Sequence, residues 1–101
     1  KNNLKNYCIL PIHIKSGNIK SIEGIDNLSQ IENFYAIAQV HFEGDKIEDW
    51  GSAQQVFCYI HVLYDSIDSL KKVIRAVLNT LHAKDEDDID MLYPLFDINT
   101  L

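Results

Sequence analysis

The clearest pattern along the chain is the three- and four-residue recurrence of Ile67, Leu70, Val73, Ile74, Val77, Leu78 and Leu81. That spacing places one apolar stripe on an α-helix, with Lys71, Lys72, Arg75 and Asn79 on the solvent side. Asp65 or Ser66 is positioned to cap it. Before it, Gln54 to Tyr64 alternates with period two. Val56, Cys58, Ile60, Val62 and Tyr64 share one side of this longest predicted strand, which the helix is expected to cover. Asn6 to Lys15 alternates likewise, with Cys8, Leu10, Ile12 and Ile14 against Tyr7, Ile9, Pro11 and His13. Pro11 restricts that strand to an edge or a bulge, because proline has no N–H to give to a ladder.

Ser16-Gly17-Asn18 reads as a turn, and Ile19 to Glu23 as a strand returning from it in a hairpin. Asp26 is expected to cap a short helix to about Asn33 carrying Ile25, Leu28 and Ile31 on one side. Tyr35 to Glu43 alternates, with Ala36, Ala38, Val40 and Phe42 opposing Tyr35, Ile37, Gln39 and His41. The acidic run from Asp85 to Asp90 breaks the main helix. Asp88 then predicts a last short helix with Ile89, Leu92 and Phe96, limited by Pro94. These elements make an α+β domain: an antiparallel sheet of about four strands with helices on one face, in the order ββαββα plus a short C-terminal helix.

A chain of 101 residues, 47% hydrophobic, sustains one small core. The net charge of −6 and the single arginine, Arg75, argue against a nucleic-acid surface, which needs clustered cations. No apolar run reaches the length of a membrane span. Cys8 and Cys58 lie in apolar strands, as reduced thiols of a cytoplasmic protein or as a cross-strand disulfide; usage by compartment favours the thiols. The first residue is Lys rather than Met, which points to a piece of a longer protein.

Few residues suggest chemistry. His13, His41 and His61 lie opposite the most apolar residues of their strands, and only a suitable register would bring three imidazoles together as a metal trio. The acidic run lacks the glycine and the distal glutamate of a calcium loop. No phosphate loop and no serine–histidine–aspartate pattern is present. The sequence therefore assigns no catalytic, cofactor-binding or metal residue. It does single out Gln39, His41, Gln55, Tyr59 and His61, with Trp50 in a polar loop, as a contact surface or pocket rim. These side chains are bulky and polar but uncharged.

In their order, several short motifs resemble the C-terminal domain of ATP-grasp ligases, in the L-amino-acid ligase and biotin-carboxylase-like branch. They are Gly17, Ile19, Ile22 and Gly24; then Gly44, Asp45 and Ile47; then Gly51-Ser52; then Tyr59-Ile60-His61-Val62; and the helix from Ser66 to Leu81. The likeness covers about two-thirds of the chain. Where that branch often has an arginine after the Gly-Ser loop, this chain has Gln54 or Gln55. The resemblance implies a single accessory domain over residues 1–101 of a larger enzyme that activates a carboxylate as an acyl phosphate for attack by an amine. The lobe is then not catalytic by itself. Its partner is the ATP-grasp core of the same chain, ATP and magnesium bind in that core, and a small-molecule substrate lies near the lobe. The alternative is a self-standing ligand-binding or dimerisation module without enzymatic activity.

Overall fold

The computed structural model describes residues 5–48, 55–94 and 96–100. The predicted α+β class holds. Four antiparallel strands form the main sheet: β1 (Asn6–Ile14), β4 (Phe34–Gln39), β6 (Val56–Tyr64) and β8 (Leu92–Pro94), in the order β4-β6-β1-β8. Two short ribbons flank it: β2 (Gly17–Asn18) with β5 (Lys46–Ile47), and β3 (Ser21–Glu23) with β7 (His82–Lys84). The helix α1 (Ile67–Thr80) packs across β6.

This helix forms as its spacing predicts. Ser66 is the N-cap: its hydroxyl accepts from the Ser69 N–H at 3.1 Å, and the Ser69 hydroxyl accepts from the Ser66 N–H at 3.1 Å. The two serines thereby satisfy donors that the first turn leaves orphaned. Leu70, Val73, Ile74 and Val77 are buried, while Ile67 at the first turn stays exposed. They meet Cys58, Ile60 and Val62 of β6, all at 0% exposure. Each fully buried aliphatic side chain contributes about 1.5–3 kcal/mol.

The path between elements differs from the expected simple order. Gly17–Asn18 and Ser21–Glu23 do not fold back on β1 as a hairpin. The first pairs with Lys46–Ile47 and the second with His82–Lys84. β1 instead lies between β6 and β8. Pro11 is tolerated there because β8 reaches only Ile12–Ile14, leaving β1 from Asn6 to Pro11 with a partner on one side among the described residues. The expected helix after Asp88 is also absent. The Asp85 carboxylate accepts the N–H groups of Asp87 and Ile89 at 2.8 and 3.0 Å, and Asp88 takes φ 63°, closing a tight turn. Leu92–Pro94 then pairs with β1, and a 3₁₀ turn at Ile98–Thr100 follows. The short helix at Ile25–Gln30 is 3₁₀, capped by Gly24 rather than by Asp26.

Bulges reset two strands. The β1–β6 register passes from Ile12↔Cys58 to His13↔Val56, leaving Phe57 as the extra residue. Phe57 is 0% exposed although its position alternates with Tyr59 and His61. In β4 the register shifts between Phe34 and Ala36. This overturns the expected apolar side of β4. Ile37, opposite Ile60, packs on the core, whereas Ala36 and Ala38 fall opposite His61 and Tyr59. Val40 and Phe42, beyond the strand end, are 46% and 55% exposed. Alanines offer too little apolar area to compete with Phe34 and Ile37 for the core.

The register also decides the cysteines. Cys8 lies opposite Val62 and Cys58 opposite Ile12, so they are four residues apart along the ladder. At about 3.3 Å per residue, their Cα atoms lie beyond disulfide reach. Both are free thiols, and burial pushes the Cys58 thiol up to about 12.

Candidate functional site

The side of the main sheet away from α1 is built by strand parity. Residues opposite one another in an antiparallel pair point to the same side. Tyr7 faces Leu63; Ile9 and Ala36 flank His61; Pro11 and Ala38 flank Tyr59. The β4 bulge brings Tyr35 to the same side, its ring edge-on to Tyr7 with centroids 5.9 Å apart. The Tyr7 hydroxyl and His61 Nδ1 are hydrogen-bonded to each other, and the two rings are tilted at 53° with centroids 5.6 Å apart. Tyr7, Ile9, Tyr35 and Tyr59 are 50%, 49%, 63% and 40% exposed. None of these residues carries a formal charge, in a chain where charged residues make up 24%.

The predicted contact residues do not all meet here. Tyr59 and His61 lie at the centre of this open side. Gln39 pairs opposite Cys58, on the side that α1 covers, and its amide donates to the His41 carbonyl at 2.9 Å. His41 stands past the end of β4, with Nδ1 3.3 Å from Asp45 Oδ2. Gln55 is 5% exposed. Its side-chain amide donates to the Ile14 carbonyl at 2.9 Å, and its own carbonyl accepts the Ile14 N–H at 2.8 Å. It therefore clamps β1 to the start of β6. Trp50, Gln54 and the Gly51-Ser52 loop lie outside the described residues. Tyr7, Ile9 and Tyr35 were not among the predicted contact residues. The alternation of β1 already placed Tyr7 and Ile9 on one side, but nothing in the sequence marks the bulge that redirects Tyr35.

The three strand histidines occupy different surroundings. His61 bonds Tyr7 and His41 faces Asp45. His13 is 4% exposed with its ring tilted against Tyr93, and its Nδ1 has no hydrogen-bond partner among the described residues. Burial lowers the His13 pKa, since the charged ring would lose its hydration. Among the described residues, no three His, Cys, Asp or Glu side chains gather to hold a metal ion. Among them too, no helix is long and apolar enough to cross a membrane.

The motif residues have structural work. Gly24 has φ 92°, and a Cβ there would lie 1.9 Å from the Thr80 carbonyl oxygen at the end of α1. Gly44 also has φ 92°, in a turn where the Asp45 carboxylate accepts the Phe42 N–H at 2.9 Å. Ile19 and Ile47 are each 2% exposed. These positions maintain backbone turns and core contacts, and none presents a reactive group. Comparison of the chain with sequence families, with curated proteins and with solved structures found no match in any of the three.

Proposed function

We propose that this chain is the C-terminal lobe of an ATP-dependent carboxylate–amine ligase of the ATP-grasp kind, acting in the cytoplasm. In this reading the lobe packs its open sheet side on the nucleotide-binding core of the same polypeptide and helps to wall the substrate site. ATP and magnesium bind in the core, where the carboxylate becomes an acyl phosphate. The lobe supplies shape and hydrogen bonds. The observation that carries the reading is the uncharged surface of exposed Tyr7, Ile9, Tyr35 and Tyr59 around the half-buried His61, on a chain of net charge −6. Tyrosine and histidine bury apolar area while keeping a polar atom for a partner, which suits a contact surface. The order of the short motifs favours a ligase core as what covers it.

The test uses the polypeptide that joins this lobe to its core. Carboxylate- and amine-dependent ADP release is expected across a panel of amino acids. Tyr59→Ala and His61→Ala should lower turnover while the lobe stays folded. Wild-type protein releasing no ADP in response to any carboxylate–amine pair would overturn the assignment. The lobe alone is expected not to bind Mg-ATP, and micromolar binding by calorimetry would contradict its passive role.

A second reading, a self-standing dimerisation module, is favoured by one observation: among the described residues, β1 from Asn6 to Pro11 has a partner strand on one side only, next to the same aromatic surface. A free strand edge is a template for pairing. A dimeric mass in light scattering, reduced to monomer by Ile9→Lys, would support it.

A further inference from the structure

Directly after α1, His82 begins β7 with both ring nitrogens facing acceptors. Nδ1 is 2.8 Å from Asp90 Oδ2, and Nε2 is 3.1 Å from the backbone carbonyl of Asn79. A carbonyl has no proton to give. The Asp90 carboxylate is committed as an acceptor on its other oxygen too, where Oδ1 takes the Leu92 N–H at 3.1 Å. A neutral imidazole carries one N–H, so it can make only one of the two bonds; both together require the imidazolium. The Asn79 carbonyl belongs to the last turn of α1, where carbonyls lack intrahelical partners and a cation is favoured by the helix dipole.

We propose that His82 is a proton-operated latch, which as imidazolium ties the end of α1 to the turn carrying Asp90 and on deprotonation releases one of those ties. The groups facing it come from each neighbouring element. Glu23 of β3 pairs opposite it on the ladder. Lys84, two residues on, opposes the ring's charge, but its ammonium lies 3.6 Å from Glu23 Oε2 and 3.9 Å from Asp88 Oδ1. Glu23 and Asp88 thus offset the Lys84 ammonium, and the Asp90 carboxylate beside the ring favours the protonated latch. The hydrogen bond to Asp90 accordingly raises the His82 pKa, against the lowering effect of partial burial.

The latch also bears on a cavity. Asp90 stands on the wall of a space of about 160 Å³ between α1 and β8, together with Ile12, Val77, Leu81 and Leu92. Asp90 is the charged side chain on that otherwise apolar lining. Deprotonation removes the positive charge that faces this carboxylate, so Asp90 is held less firmly on the cavity wall even where the ring keeps one N–H on it.

Histidine-resolved ¹⁵N and ¹³C NMR on the 101-residue chain tests this. At about pH 6, His82 should show both nitrogens protonated, and it should titrate above the ordinary histidine value of about 6.5. The amide signals of Thr80 and of residues 85 to 92 should move with the same midpoint. Asp90→Asn should lower that midpoint and uncouple those amides from it. A single neutral tautomer of His82 at about pH 6, or a midpoint at or below about 6.5, would overturn the proposal. So would amides that ignore the titration. Should Asp90→Asn fail to fold, the wild-type titration alone decides.

Discussion

The two sides of the main sheet share the same strands but were built to opposite rules. On the α1 side, Cys58, Ile60 and Val62 are sealed at 0% exposure beneath Leu70, Val73, Ile74 and Val77. On the other side, of the intervening residues, Tyr59 stands open and His61 is half-buried among Tyr7, Ile9 and Tyr35. The covered side is aliphatic because close packing rewards side chains with few rotamers and no polar atoms. An antiparallel sheet commonly leaves its second side to water, and charged residues would then be ordinary there. Here its exposed residues Tyr7, Ile9, Tyr35 and Tyr59 are bulky and uncharged, unlike the charged positions common on a side given to solvent.

Closure of the covered side should be the easiest part to break. Gly24→Ala places a methyl 1.9 Å from the Thr80 carbonyl oxygen, at a φ of 92° that L residues disfavour. It is expected to cost about 4 kcal/mol or more, at the upper end of single-substitution effects. Urea melts give the measurement, and a variant within about 1 kcal/mol of wild type would show that the α1 end and the Ile25–Gln30 turn are not packed as described.

A pair of substitutions sharpens the contrast within one strand. Phe57 and Tyr59 are two residues apart, yet the first is fully buried at the bulge and the second is 40% exposed. Phe57→Ala should cost about 3–5 kcal/mol, as for other buried aromatics. Tyr59→Ala should stay within about 1 kcal/mol in this chain alone. Equal losses would mean that the second side is as firmly packed as the first.

The smallest effect is pH dependence, from two histidines in opposite settings. The pKa of His13 is lowered by burial, so the unfolded chain takes up its proton first. Its contribution is whole above the unfolded value of about 6.5 and is lost as pH falls toward the lower folded value. The His82 pKa is raised, so its contribution is whole below about 6.5 and is lost as pH rises through the higher folded value. Stability from this pair should therefore peak near pH 6.5, roughly the unfolded histidine value. His13→Leu should flatten the acid limb of the urea midpoint below about pH 6.5, and His82→Gln the alkaline limb above it. An acid limb unchanged in His13→Leu would show that the ring takes up its proton in the fold as readily as in the unfolded chain.

Local sequence by itself determined α1, a cap at Asp65 or Ser66, the alternation of β1 and of β6 outside the Phe57 bulge, and the α+β class. In each case the signal is short-range: a 3.6-residue stripe, a hydroxyl before it, or a period of two. The tertiary structure alone decided which strands pair. Ser21–Glu23 joins His82–Lys84 across some sixty residues, a partner that no local pattern names. It also decided the bulges at Phe57 and Tyr35, and a one-residue shift turns a side chain to the other side of the sheet. That is why Gln39 and Gln55, read from alternation as neighbours of Tyr59 and His61, stand elsewhere, while Tyr35 joins them. Register is a sum over contacts distant in sequence. The candidate surface was legible in its chemistry, and its membership was fixed only when those contacts formed.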